Sequence, residues 1–586
     1  LSLWIPAGIA LVLSMPGPWL MQLAPDLIAT LLLLLRFSLG RALALALLPV
    51  LLAGQVAGLR LADRLTPASA AQDRVLIMSI CGFPSARGRI TRFSARPHDA
   101  SLPQRISVSW FDAPPGLRAG SVWRLRLRLR AARRLHGSGA DRERGDFLRG
   151  IGAGASVRRS LLNGRLPDLR SRCALDGLRA DSAARIGEVL GERRSTPWVQ
   201  ALALAVRNDL SDRDWQLLRA TGTTHLVAIS GLHIGLVAGL AAGLGRGLGL
   251  AIAWLPRAPP PRSLSALIAA SAALAYSAMA GFATPTLRAL TMLCLAILLL
   301  ALRREVRPWR LLAVTLVCVL LAQPPSLLAA GFWLSFLAVA ALMLPTTAVA
   351  IPVAAWRRTW SAQWRICLCL APLGLFLFDA VSLSAPVVNL LAIPFFAFLV
   401  VPAVLAGGLL ALVGPGQWLL ALAADVLDIA IAGLERFALV PGLLWQPLVT
   451  SAALVAAGVA AVFLAWPRPA PRLAVAVLLL VPLVAGPPDS RAMLRVQVVD
   501  VGQGLAVLVR TRNRALLYDT GPSWSGGGSA ARSRLLPLLH DLGLPRVDRI
   551  LVSHSDSDHA GGAAVLSAAY PRARLYSPQP LGDVAT

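Results

Sequence analysis

Between Leu226 and Val484 the sequence carries ten apolar stretches separated by short polar or proline-containing turns, and this pattern constrains the fold more than any other feature. They run Leu226–Leu244, Leu264–Ala280, Leu287–Leu302, Leu311–Ala322, Leu328–Leu344, Ile366–Val381, Val387–Leu412, Trp418–Ala438, Leu448–Trp466 and Leu473–Val484. The longer ones can cross a hydrocarbon core about 30 Å thick. Backbone at that depth must satisfy its own hydrogen bonds, so a multi-span α-helical bundle is expected. A 56% hydrophobic composition and a mean hydropathy of +0.65 exclude an ordinary soluble globular protein. Three earlier stretches, Leu3–Leu20 (interrupted by Pro6, Pro16 and Pro18), Leu27–Leu35 and Ala42–Leu59, also read as membrane segments. They lack the small-residue cleavage pattern of a signal peptide. Pro386, Pro394 and Pro402 interrupt one stretch, which predicts unwound backbone lining a protein cavity.

Polar residues recur inside this apolar region. Thr224 to Gly235 reads THLVAISGLHIG and places His225, Ser230, Gly231 and His233 in or beside a span; Arg288, Asn389, Asp425 and Asp428 follow. Asp425 and Asp428 are three residues apart and share a helical face. Each of these residues alone is compatible with a packing role. Together they suggest a polar path, because ionisable groups at membrane depth usually face a bundle interior or water.

From about Asp63 to Arg194 the long apolar runs disappear and short alternating segments take over: Val75–Ile80, Arg105–Phe111 and Val122–Arg130. Period-two alternation predicts strands and a small β domain. In WRLRLRLR, Arg124, Arg126, Arg128 and Arg130 share one face and Leu125, Leu127 and Leu129 the other. Such a face can hold DNA phosphates, with Trp110, Phe111 and Trp123 available for base stacking. It is equally the pattern of a solvated strand face. The net charge of +28 is a weaker guide, since all 57 basic residues are Arg, as a GC-rich genome would write them. Its distribution says more: residues 60–194 hold 27 Arg against 12 Asp and Glu, over half of the excess. An amphipathic helical segment, Trp198–Leu218, leads from this domain into the spans.

Near the C-terminal end, His554 to Gly562 reads HSDSDHAGG and follows the apolar run Asp548–Val552, a predicted strand. A strand ending in a loop can aim His554, Asp556, Asp558 and His559 at one point. Two imidazoles and two carboxylates can hold one or two divalent cations, which acidify water and polarise a phosphodiester. Asp558 is the candidate catalytic residue of such a centre. Upstream, VVDVGQGLAVLVR and LLYDTG predict further strands, with turns at Asp500, Gly502 and Gly504 and at Asp519 and Gly521. His540 falls in a predicted helix, Ser533–Leu542, and reads as a surface residue.

This motif resembles the His-x-His-x-Asp-His signature of the metallo-β-lactamase fold, with Asp556 in the second His position. The harder carboxylate favours manganese or magnesium over zinc. The order of the whole chain, a basic β domain, a helical core bearing HLVAISGLHIG, then VDVGQG and HSDSDH, resembles the ComEC family of DNA-internalisation competence proteins. Residues 135–151 resemble the segment after that family's OB-like barrel, with altered residues at His136 to Gly139; Gln323 and Asn208 are further departures. The resemblance implies an OB-like domain at 61–195 after N-terminal membrane spans at 1–60. It further implies a helical channel core at 196–488 and a partial metallo-β-lactamase domain at 489–586. It also implies uptake of single-stranded DNA across the cytoplasmic (inner) membrane, a metal domain degrading the other strand, and partnership with lipids and with DNA receptor and motor proteins. It leaves a homo-oligomer open. A membrane-anchored metallohydrolase and a small-solute transporter with a regulatory metal domain are the alternatives.

The first residue is Leu, and the family's downstream metal ligands do not follow before Thr586. The sequence therefore reads as a piece of a longer frame, from which little hydrolysis is expected. With no Lys there is no GxxxxGK[ST] loop, so a nucleotide-driven motor must come from a partner. Arginine clusters at Arg36 with Arg41, Arg246–Arg262, Arg303–Arg310, Arg357–Arg365 and Arg468 with Arg472 fall on one side of the span count. The positive-inside rule makes that side cytoplasmic and puts both soluble domains outside. An outside location permits a disulfide between Cys81 and Cys173; two separate buried thiols are the alternative. Cys294, Cys318, Cys367 and Cys369 lie in apolar spans as small hydrophobes.

Overall fold

The alternation of WRLRLRLR builds one wall of a closed sheet. A computed structural model describes residues 54–580 apart from 67–71, 132–141, 257–258, 306, 345–354, 379, 413–415, 441–442, 446–455, 459, 461–493, 512–513, 525–527, 543 and 545. The expected spans Leu3–Leu20, Leu27–Leu35 and Leu473–Val484, most of Ala42–Leu59 and Leu448–Trp466, and residues 135–141 lie outside the described residues.

The β domain comprises β1 (Asp73–Arg87), β2 (Ile90–Pro97), β3 (Ile106–Phe111), β4 (Val122–Ala131), a helix α1 (Arg142–Arg149), β5 (Ala153–Val157) and a short β6 (Gly164–Arg165). Strand order is β1-β2-β3-β5-β4, and β4 pairs back onto β1, so the sheet closes. All pairings are antiparallel except β3 with β5. β1 is long enough to pair with β4 through its first half and β2 through its second, with a bulge between Cys81 and Ser85. Leu125, Leu127 and Leu129 are fully buried while the alternate arginines are exposed. Burying each leucine is worth roughly 1.5–3 kcal/mol. Trp110 and Trp123 also point into this core, rings edge-to-face at 5.4 Å. The expectation that they stack on bases is therefore corrected; Phe111, 44% exposed, is the aromatic left at the surface.

The expected continuous segment Trp198–Leu218 is two helices, α3 (Thr196–Leu204) and α4 (Asp212–Thr221), after an unforeseen α2 (Ala174–Leu190). Ala205 adopts a left-handed conformation (φ 58°) and stops α3. Ser211 and Asp214 form a reciprocal capping box that starts α4. The membrane region continues as α5 (Gly231–Ala251), α6 (Pro261–Met279), α7 (Thr284–Ala301), α8 (Pro308–Ala322), α9 (Ala330–Met343), α10 (Ala355–Phe378), α11 (Ala385–Phe395), α12 (Val401–Leu412) and α13 (Gln417–Ala438). A two-residue ribbon, β7 (Val381–Ser382) with β8 (Leu444–Trp445), ties the ends of the last three. Among the described residues, five segments are long and apolar enough to cross a membrane: Gly231–Ala251, Thr284–Ala301, Thr359–Phe378, Ala385–Ala411 and Gln417–Ala438. The prolines do not unwind the fourth. Pro386 sits in the first turn of α11, where no N–H is needed, and the missing donor at Pro394 is followed by a π-helical turn, Phe396–Val400, that carries α11 into α12.

α2 buries Ala183, Ile186 and Leu190 in one apolar cluster with Trp198, Leu202, Val404 and Leu427, so it packs as part of the helical core. Arg179 of α2 is 7% exposed. Its guanidinium donates to Asp176 (2.9 Å), to the carbonyl of Leu204 (3.0 Å) and to that of Met279 (2.8 Å). The other oxygen of Asp176 accepts the Gly82 amide in the β1 bulge (3.0 Å). A Cβ on Gly281 (φ 70°) would sit 2.7 Å from the guanidinium, so the α6–α7 turn needs glycine to admit it. Replacing Arg179 with Met is expected to cost about 3–5 kcal/mol, because two carbonyls and a carboxylate lose their buried partner. Arg185→Met, removing an exposed pair with Glu188, should cost less than about 1 kcal/mol. Thermal unfolding of the two variants in detergent checks the contrast.

Candidate metal centre and membrane path

The C-terminal domain is built on β9 (Leu494–Val498), β10 (Val507–Thr511), β11 (Ala515–Tyr518), a ribbon β12 (Ser523–Trp524) with β13 (Gly528–Ser529), helix α14 (Leu536–Asp541), β14 (Arg549–Leu551), α15 (Ser557–Ala560), α16 (Ala563–Ala569) and β15 (Arg574–Tyr576). The five-stranded sheet runs β15-β14-β11-β10-β9. Residues 531–535 before α14 form a π-helical turn, so the expected helix Ser533–Leu542 starts irregularly.

HSDSDHAGG leaves β14 and turns into α15. Ligand-capable atoms of His554, Asp558 and His559 lie within 4.8 Å of one another. The imidazole rings are 4.1 Å apart at their centroids. The fourth expected ligand, Asp556, stands outside that triad: its side chain is 73% exposed, with Oδ2 3.5 Å from Nε2 of His554. Both rings are held at Nδ1. That of His559 lies 2.8 Å from Oδ2 of Asp519, and that of His554 lies 2.9 Å from the Ser553 hydroxyl. Both Nε2 atoms are thereby left to the carboxylates, Asp558 being 3.8 Å from that of His559. Two nitrogen donors and a carboxylate, with the rings anchored from behind, fit a divalent cation.

Asp519 carries more than the turn role its sequence context suggests. It is fully buried, has a left-handed backbone (φ 58°), and its carboxylate accepts the amide and the hydroxyl of Ser553 at 2.7 and 2.9 Å. One side chain thus positions both His559 and the loop that carries His554. The DTG sequence after an apolar strand was the available signal. The glycine turns complete the fit: Gly502 and Gly521 have positive φ, and a Cβ on Gly504 (φ 121°) would meet the Asp558 carbonyl at 2.1 Å. Asp500 accepts the Gly502 amide at 3.1 Å.

In the membrane region Ser230 caps α5, so the helix begins five residues later than the apolar stretch. The Ser230 amide donates to Nδ1 of His233 (3.1 Å), and its hydroxyl lies 2.9 Å from the same atom. An accepting Nδ1 places the proton of a neutral imidazole on Nε2, which is buried without a partner among the described residues. Arg288 is 3% exposed and donates to the carbonyls of Gly331 (2.5 Å) and Phe332 (3.0 Å), while its Nε has no partner among the described residues. Asn389 reaches the Gly222 carbonyl at 3.5 Å; its Oδ1, and one buried oxygen of Asp428, have no partner among the described residues. Asp425 instead pairs with Arg193 at an exposed position, so the two aspartates divide between surface and interior. His225 is exposed ahead of α5, and Gly231 opens the helix, where an added Cβ would lie 3.6 Å from the Ala289 side chain, an ordinary contact.

A Competence protein family profile matches residues 202–471, and a Metallo-beta-lactamase superfamily profile matches 499–579. "Competence protein ComA" of Neisseria gonorrhoeae is 33% identical over 534 residues, 86% of this chain and 72% of that protein. The chain belongs to the ComEC family of competence proteins. "Recombination protein 2" of Haemophilus influenzae is 28% identical over 524 residues (81% of this chain, 64% of the relative), and "Uncharacterized protein YcaI" of Escherichia coli is 30% identical over 538 (88% and 68%). The chain therefore spans about two thirds of the length of these relatives. No solved structure matches it.

In this ComEC-family chain, Arg124, Arg126, Arg128 and Arg130 line the exposed face of β4. Arg126 is 3.3 Å from Asp73; the other three have no carboxylate partner among the described residues. At the end of β3, Arg89 lies 4.4 Å over the Phe111 ring and grips Asp112 through two bonds of 2.9 and 2.6 Å. That contact raises the Arg89 guanidinium and lowers the Asp112 carboxyl from their ordinary values. Cys81 and Cys173 form a disulfide, Cα atoms 5.4 Å apart, joining the β1 bulge to the start of α2. Asp519→Asn is expected to weaken divalent-cation binding at the His554–Asp558–His559 cluster by about 10–100-fold. Isothermal titration with manganese and with zinc measures this, and an unchanged affinity would remove His559 from the ligand set.

Proposed function

We propose that this chain forms the membrane-embedded part of a DNA-uptake channel for natural transformation, carrying single-stranded DNA across the cytoplasmic membrane. Its relatives named for competence and recombination support the general role. The observation that carries the finer reading is the cationic wall of β4, held by Arg179 and the Cys81–Cys173 link against a helical core containing buried, unsaturated polar groups. In this reading the closed sheet within residues 61–195, ahead of α2, is an OB-like DNA-binding barrel. The closed order β1-β2-β3-β5-β4 supports it. Arg124, Arg128 and Arg130 take the phosphates, and Phe111 offers a stacking surface. Strand passage then runs through 196–488 beside His233, Arg288, Asn389 and Asp428, whose unpaired atoms can bind water or the passing chain. Both soluble domains stand outside, and receptor and motor proteins supply DNA and driving force.

Residues 489–586 are read as the start of a metal-dependent phosphodiesterase acting on the strand that is not carried. His554, Asp558 and His559 would hold the cation, with Asp556 available to a second. The cation, when bound, supplies Lewis acidity toward a phosphodiester. Asp519 holds the proton of His559 on Nδ1, so Nε2 stays free to ligate; Ser553 does the same service for His554. The carboxylate set favours manganese or magnesium.

The triple variant Arg124→Gln/Arg128→Gln/Arg130→Gln should lower transformation at least tenfold while leaving membrane insertion intact. It should also flatten the salt dependence of single-stranded DNA binding by about 2 in log–log slope, at about 0.7 per lost phosphate contact. Normal transformation with an unchanged salt slope would reject the barrel as the DNA-capturing surface.

A further inference from the structure

The end of the metal domain opposite the histidines is a second charged feature that nothing so far explains. Strand pairing fixes which residues share that end. Thr511 faces Leu494, Arg510 faces both Arg495 and Ala515, Leu516 faces Arg549, and Arg549 faces Arg574. The start of β9, the end of β10 and the starts of β11, β14 and β15 therefore lie together. The metal cluster, the Asp519 turn and the Gly502–Gly504 turn all lie at the other end.

At this pole a cleft of about 750 Å³ is lined by Arg514, Arg546, Arg549, Arg572 and Arg574, all exposed. The acid among its lining residues is Asp548, and that carboxylate is turned inward to accept the Ala515 amide at 2.7 Å. Arg495 and Arg510 extend the charge along the neighbouring strands. Partial burial, and then the charge of Arg495 paired opposite it, lower Arg510 from its ordinary value. Nothing at the candidate metal cluster requires cations a whole sheet away.

The route of the chain identifies what does. β9 is the first strand of the domain, and its Leu494 end belongs to the arginine pole. In the sequence the apolar run 473–484 ends ten residues before Leu494. The pole is thus the part of the domain tethered nearest the apolar region.

We propose that this arginine pole docks on the anionic headgroups of the lipid bilayer, standing the metal domain upright with its histidine cluster facing away from the membrane. Clusters of arginine beside a membrane segment bind anionic lipid headgroups in this way. The proposal rests on the membrane reading alone and is independent of any nuclease activity. A nucleic acid would be drawn by the same charges, but the tether favours lipid.

The test uses the full chain in nanodiscs, carrying a fluorophore on a cysteine introduced by Arg572→Cys or, as the opposite pole, by Asp556→Cys. Spin-labelled lipid headgroups should quench the 572 label several-fold more than the 556 label in phosphatidylglycerol-containing discs. The difference should collapse in pure phosphatidylcholine, in Arg514→Gln/Arg549→Gln/Arg574→Gln, and in 1 M salt, where the screening length falls to about 3 Å. Equal quenching at the two positions would overturn the proposal. So would quenching indifferent to lipid charge, or protection of the 572 label by duplex DNA with no lipid quenching. Elution volume and intrinsic fluorescence of the triple variant establish that it is folded.

Discussion

The guanidinium of Arg179 holds three parts of this protein together. It bonds through Asp176 to the bulge of the first barrel strand, and directly to the last carbonyl of α3 and to the end of α6. Burial of such a group is affordable only because every face finds an acceptor or a ring, Phe83 included at 5.2 Å. Its consequence is geometric. The barrel is seated on the helical core at a defined point, beside the disulfide that fixes the start of the same helix. A fixed relation of this kind is what lets a cationic surface hand a strand to the membrane interior in the proposed function.

The interior follows a different rule from the barrel surface. Charges on β4 are solvated and cost little to display. His233, Arg288, Asn389 and Asp428 instead keep buried donor or acceptor atoms that no described residue satisfies. A protein built for stability alone would replace them with apolar side chains, since unpaired buried polar atoms cost about 1–3 kcal/mol each. Their presence on several helices fits the polar path proposed above. The metal cluster uses the opposite strategy: Asp519 and Ser553 satisfy the Nδ1 atoms so that only Nε2 remains uncommitted.

Much of this was legible in the sequence where a period or a spacing speaks for itself. The alternation from Val122 to Arg130 defines a strand to within a residue, and HSDSDHAGG brings three candidate ligands together. What was not legible depended on contacts between distant segments. α2 has no apolar face strong enough to declare itself, and it forms by packing against Trp198 and Leu427. Trp123 stands beside Arg124 and Trp110 beside Phe111, which in sequence suggests a stacking surface; strand pleating turns both tryptophans inward. Pro394 looked like a break, and one π-turn absorbed it. Asp519 looked like a turn residue because the histidine it orients lies 40 positions away.

In the proposed function DNA passes from the arginine face of the barrel into the helical core. Photo-crosslinking during transformation tests it most directly, with benzoylphenylalanine replacing Arg128 in one strain and His233 in another. Single-stranded transforming DNA should be attached to the protein at both positions, with the 233 adduct appearing after the 128 adduct. Adducts at 128 alone, while DNA still enters the cytoplasm, would show that the strand crosses by another route.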